Sequence, residues 1–196
     1  MNKKLIEAVR KMRRRIKDRN RKFRKLTLRQ QRIKVVRDVI RQLSDGTLVA
    51  SPGTYAKFIA PKRMKPDSQL NEILESIPKC EVCGVGGIFL ATVKLNNELT
   101  VEDVNRRSSY GTITAGVRSS MGDSVMRDYL KKWFSAEQLA LIETAFERRK
   151  MHSAFVHPDK PLQAAIKFGM AYENPKARFI AICNNIIEHG GEFVVE

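Results

Sequence analysis

Apolar positions along residues 3–26 fall at Leu5, Val9, Met12, Ile16, Phe23 and Leu26, with Arg19 filling the one gap in the series. This 4-3 spacing, in a stretch without Gly or Pro, predicts one amphipathic helix. Thr27 and Gln30 stand at capping-box spacing and open a second helix to Ser44, burying Ile33, Val36, Ile40 and Leu43 and ending at Asp45-Gly46. Thr47–Ala50 reads as a short strand closed by Ser51-Pro52-Gly53, and Tyr55–Pro66 as an irregular basic crossing. A helix capped by Asp67 or Ser68 follows, with Leu70, Ile73, Leu74 and Ile77 inward. The least polar stretch, CEVCGVGGIFLATVKL from Cys80 to Leu95, predicts a buried central helix with close contacts at Gly84, Gly86 and Gly87, ending at Asn96-Asn97.

Thr100 and Asp103 form a second capping box, and Ser135 with Gln138 a third, ahead of a face made by Leu139, Ile142 and Phe146. Between these two helices, residues 106–124 are rich in Gly, Ser and Thr and read as a mobile loop. A turn containing Pro158 precedes a helix around residues 160–172. Asn174-Pro175 then starts the last helix, with Phe179, Ile182, Ile186 and Ile187 inward and Gly190-Gly191 as its stop. Glu192–Val195 is a second strand candidate. The expected fold is all-α, mainly helical, with a short two-stranded β-ribbon joining residues 47–50 to 192–196. Its expected organisation is a basic helical arm, residues 1–26, and a single compact helical domain, residues 27–196.

Charge changes this picture more than composition does. The chain carries 37 Lys and Arg against 21 Asp and Glu, a net +16, and 42% of it is apolar, as in a globular protein. Residues 1–45 hold 18 of the basic residues against Glu7, Asp18, Asp38 and Asp45, so the rest of the chain is nearly neutral. The cations of the arm are Arg10, Lys11, Arg13, Arg14, Arg15, Lys17, Arg21, Lys22, Arg24 and Lys25. Such a field serves polyanions: DNA or RNA, a nucleoprotein complex, or an acidic protein partner. Arginine predominates, and its planar fork binds phosphate bidentately and stacks on bases. A membrane-surface helix fits poorly, because the apolar face has one Phe and is broken by Arg19. No run of about 18 apolar residues exists to span a bilayer.

The N-terminus lacks the apolar segment of a secretory signal, and its Lys and Arg density with almost no Ser argues against a mitochondrial transit peptide. Three cysteines, an odd number, indicate a reducing compartment, and the chain reads as cytoplasmic.

Candidate chemistry is sparse. Cys80-Glu-Val-Cys83 is a lone CxxC; a zinc site would need Cys183 and His189 as further ligands, and a redox site would need a strand before it. Cysteines on an apolar helix are also commonly small core residues. Gly84-Val-Gly86-Gly87 lacks the Lys-Ser/Thr of a phosphate loop. Glu143 and Glu147 lie one turn apart on what reads as a solvated face. Lys131-Lys132 and Arg148-Arg149-Lys150 are secondary basic patches, with Trp133 either a stacking platform beside the first or a core residue. The leading expectation is therefore a non-enzymatic nucleic-acid-binding accessory protein without a cofactor. A protein-interaction inhibitor or adaptor is the second reading, and a zinc- or thiol-dependent enzyme the third.

The segments IKVVRDVIRQL, CEVCGVGGIFL, FSAEQLALIETAFE and FIAICNNIIEHGGEF resemble a set of small, uncharacterised proteins of phages and mobile elements. The resemblance spans about residues 33–196 and leaves the arm out. It implies a phage or mobile-element origin, with roles in replication, host takeover or evasion of a host defence complex, and it brings no catalytic residues.

Overall fold

The structure, a computed structural model, describes residues 3–107, 112–149 and 160–196. The turn at Pro158 therefore lies outside the described residues. Helices α1 (Lys3–Arg24) and α2 (Leu28–Ser44) come first, then strands β1 (Leu48–Ala50) and β2 (Ala56–Ile59). Helix α3 (Leu70–Ser76), strand β3 (Cys80–Val82), α4 (Gly84–Leu95) and α5 (Val101–Arg107) follow. Strand β4 (Arg118–Met121) leads into α6 (Asp123–Leu130), α7 (Ala136–Glu147), α8 (Lys160–Met170) and α9 (Pro175–Glu188). The fold is mainly α, as expected.

Local chemistry sets several boundaries where the sequence put them. Thr27 Oγ1 accepts from the Gln30 amide at 3.3 Å while Gln30 Oε1 accepts from the Thr27 amide at 3.0 Å, closing the box that starts α2. Thr100 and Asp103 cap α5 in the same reciprocal way. Asn174 accepts from the amides of Lys176 and Ala177, with Pro175 at the first position of α9. The buried face of α2 is wider than its period suggests. Val35, Val36, Val39 and Leu43 are buried, and Ile33 and Ile40 only half so, because α2 is covered by both α4 and α9.

Helix α4 is the centre of the molecule, and every residue from Gly84 to Leu95 is buried. It touches α1, α2, α3, α6, α7, β1 and β3. Its glycines allow these approaches: a Cβ on Gly86 would meet the Tyr55 carbonyl oxygen at 1.5 Å, and one on Gly87 the Phe179 ring at 2.5 Å. The helix begins later than the apolar run. Cys80–Val82 is strand, and Cys83 is the N-cap, its Sγ accepting from the Gly86 amide at 3.3 Å. An unbroken apolar run does not distinguish buried strand from buried helix.

The four strands form one sheet in the order β1-β3-β2-β4, with β1 and β3 parallel and β2 antiparallel to both neighbours. Leu48 pairs with Cys80 and Ala50 with Val82. Thus the expected ribbon between residues 47–50 and 192–196 does not form. The C-terminal segment lies outside any strand, and two side-chain amides hold its backbone. Gln138 donates to the Phe193 carbonyl at 3.1 Å and accepts from the Phe193 amide at 2.6 Å. Asn185 does the same for Val194, at 2.8 and 2.9 Å. Gln138 is thereby withdrawn from the reciprocal half of its capping box, although Ser135 still accepts from its amide.

The crossing at Tyr55–Pro66 contains β2, and the expected loop at 106–124 contains β4 and the start of α6; residues 108–111 lie outside the described residues. Among the described residues, no helix is long and apolar enough to cross a membrane.

Candidate nucleic-acid interface

Helix α1 is about 33 Å long at 1.5 Å per residue, close to one turn of a nucleic-acid duplex. Its C-terminal half is packed on the body. Ile16 and Phe23 are buried, and the Phe23 ring lies 6.3 Å from that of Trp133 in the core. Arg19, the break in the apolar stripe, places Nη2 2.7 Å from Glu75. Arg13 pairs with Glu72 at 3.0 Å, and Arg24 donates to Asn96 at 2.6 Å with Glu98 3.8 Å away. Three arginines thus clamp the helix to α3 and to the end of α4. Residues 7–11 are exposed, Val9 to 37%, and Met12 is half-buried.

Packing sorts the ten basic residues read from the sequence into two groups. Arg13 and Arg24 serve the clamp, and Arg21 pairs with Asp18 at 3.2 Å on the surface. Arg10, Lys11, Arg14, Arg15, Lys17, Lys22 and Lys25 are exposed and have no ion-pair partner among the described residues. Steps of three or four residues put Arg10, Arg14, Lys17 and Arg21 on one outward ridge, which Lys25 continues past the helix end. Lys11, Arg15 and Lys22 follow the other flank. A shallow groove of about 410 Å³ runs beside the ridge, lined by Lys17, Asn20, Arg21, Arg24 and Lys25.

The cationic segment continues beyond the arm into α2. Arg29 and Arg32 are committed to the C-terminal end of α9. The Arg29 guanidinium lies against Gly190, and Arg32 donates to the Trp133 carbonyl and pairs with Glu192 at 3.3 Å. Lys34 and Arg37 are exposed. Between α1 and α2 opens a second cleft of about 730 Å³, with Arg15 and Lys22 on one side and Lys34 and Arg41 on the other. No local signal reveals it, because the cleft depends on how the two helices splay from their three-residue junction.

The other candidates are dispersed. Cys80 lies on β3, Cys83 caps α4 and Cys183 lies in α9, all buried and free, while His189 is exposed and bonds through Nδ1 to the Asn185 carbonyl. Among the described residues, no three His, Cys, Asp or Glu gather to hold a metal ion. Burial pushes the Cys80 thiol up to about 12 and raises those of Cys83 and Cys183 further, the reverse of what a nucleophilic thiol needs.

Trp133 is a core residue whose indole donates to Gln31 at 2.7 Å, so it offers no stacking platform. Beside it, Lys131 pairs with Asp128 and Lys132 with Glu98. Arg148 and Arg149 are exposed, and Lys150 lies outside the described residues.

Glu143 is not on a solvated face. It is 1% exposed and ion-paired to Arg127, which also holds Asp123 at 2.5 Å, and Tyr55 hydrogen-bonds to it. Glu147 is half-buried and accepts from the Gly53 amide.

The chain matches no protein-family model, no curated protein and no solved structure.

Proposed function

We propose that this protein is a non-enzymatic nucleic-acid-binding protein that grips the sugar-phosphate backbone with the outward ridge of α1. One observation carries the reading. Seven exposed cations without an ion-pair partner among the described residues are concentrated on one helix and its end, and that helix is clamped to the body through its opposite face. Clamping fixes which face of the helix turns outward, so the helix backbone does not have to be ordered on binding. Phosphate contacts of this kind give affinity with little sequence preference.

The test is the salt dependence of binding to a duplex. Four unpaired ridge cations, Arg10, Arg14, Lys17 and Lys25, neutralising about four phosphates give a slope of log K against log salt of roughly −3 to −4. The triple variant Arg10→Glu, Arg14→Glu, Lys17→Glu should bind unrelated sequences more weakly and flatten that slope. Binding that is unchanged in the triple variant at low salt would sink the reading.

A second reading has its own observation. Val9 and Met12 extend the apolar stripe beyond the stretch that the body covers, as a helix docking on a protein partner would. An acidic partner retained by the triple variant but lost on Val9→Asp would favour it. Three free, buried thiols suit a reducing compartment, which supports a cytoplasmic location as part of the proposal.

A further inference from the structure

We propose that the cleft between α1 and α2 seats a single-stranded nucleic acid, holding about one or two nucleotides between its basic walls. The inference rests on the nucleic-acid reading above and specifies which form of nucleic acid the protein takes. A single strand, unlike a duplex, presents unstacked bases and a backbone narrow enough to enter a cleft.

Charge is the first support. Arg15, Arg19, Lys22, Lys34 and Arg41 line the cleft together with Asp18, Asp38 and Glu75. Each of these carboxylates already has an intramolecular cation. Asp18 is held by Arg21 at 3.2 Å, Asp38 by Arg41 at 2.9 Å and Glu75 by Arg19 at 2.7 Å. Asp38 is held a second time from behind. Gln42 donates to it at 2.8 Å and accepts from the buried Lys94 ammonium at 2.7 Å, and both Asp38 and Glu75 act electrostatically on Lys94. What remains for a ligand is Arg15, Lys22 and Lys34, cations on both walls with no ion-pair partner among the described residues. An anion entering the cleft meets a positive field whose internal acids are neutralised.

Shape is the second support. About 730 Å³ falls within the range of small-ligand pockets and is too small for a duplex. Phe23, Leu26 and Leu95 form an apolar floor, which a backbone lying on an open ridge does not require but a nucleobase does. The walls are preset: Leu26 donates to the Phe23 carbonyl at 3.1 Å, Gln31 donates to the Leu26 carbonyl at 2.8 Å, and the Thr27 capping box locks the start of α2. Phosphates on Arg15, Lys22 and Lys34 with a base above the apolar floor account for cation placement and floor together.

The experiment titrates the full chain with labelled oligouridine, oligothymidine and a mixed-sequence duplex of the same length. Both single strands should bind more tightly than the duplex, and a preference between them tells RNA from DNA. Lys34→Glu, on α2 and remote from the outward ridge, should lower single-strand affinity by about tenfold while changing duplex affinity by less than about twofold. Lys22→Glu on the opposite wall should lower single-strand affinity likewise, and Arg14→Glu should weaken both forms. Lys22 and Lys34 are exposed and without an ion-pair partner among the described residues, so unchanged Trp133 fluorescence verifies the fold of each variant. Single-strand affinity within about twofold of wild type in both cleft variants overturns the inference and leaves the ridge reading standing. Failure of every oligonucleotide to bind overturns both.

Discussion

Arg24 Nε donates to Asn96 Oδ1 at 2.6 Å, tying the last turn of α1 to the C-cap of α4. A cation there also meets the negative end of the α4 dipole. Together with Phe23 in the core, this contact predicts a division within the helix. Deleting residues 1–12 should change stability by less than about 1 kcal/mol, whereas Phe23→Ala should cost about 3–5 kcal/mol. Urea unfolding followed by the fluorescence of Trp133, the only tryptophan, measures both. Equal losses would show that the projecting half is structural as well.

Arg178 predicts a second single-site effect. It is 1% exposed and donates to three carbonyls: Phe146 at 2.6 Å, Tyr172 at 3.0 Å and Glu173 at 3.0 Å. It thereby joins the end of α7, the chain after α8 and the start of α9. Arg178→Met keeps much of the volume but orphans one buried and two part-buried acceptors, and should cost about 2–4 kcal/mol. A calorimetric melt within a few degrees of wild type would contradict this.

Two glycines should behave oppositely. Ala at Gly86 would place its Cβ 1.5 Å from the Tyr55 carbonyl oxygen, a backbone atom that cannot yield. Gly86→Ala should give insoluble or non-cooperative protein. Gly53 has φ +73° and open space around it, so Gly53→Ala carries only backbone strain of about 1–2 kcal/mol. Circular dichroism melts of the two variants check the contrast.

Thiol burial predicts a pH effect of definite sign. Above pH 9.0, the ordinary thiol value, Cys80 ionises in the unfolded chain, while in the folded chain it stays protonated up to about 12. The unfolded state then binds fewer protons, so stability is full below pH 9.0 and falls between pH 9.0 and about 12. Cys83 and Cys183 add to the fall in the same direction. At pH 8 the native protein should resist an aromatic disulfide reagent, and denaturant should release all three thiols. Rapid modification of the native protein would contradict the burial.

What was legible in the sequence was local. Caps such as Thr27 with Gln30 and Asn174 with Pro175 are decided within four residues, and the structure honours them. The sheet was not legible, because strands of three or four residues carry little pattern and β1 finds β3 some thirty residues away. Glu143 looked solvated for the same reason: Arg127, its partner, lies on a different helix. The cationic surface was visible as composition. Which cations face outward was not, since the carboxylates that claim Arg13 and Arg19 belong to α3.

Helix α1 runs unbroken from Lys3 to Arg24, with no Gly or Pro at which it could bend. It is therefore a lever rather than a tether. From Arg10 to Phe23 the strut measures about 20 Å. Force on its tip is delivered to the Arg13 and Arg19 ion pairs and to buried Ile16 and Phe23, where a flexible tail would dissipate it. Grip and stability are then linked equilibria, and a ligand that holds the tip in its docked direction raises the unfolding midpoint of the whole chain as its concentration passes Kd.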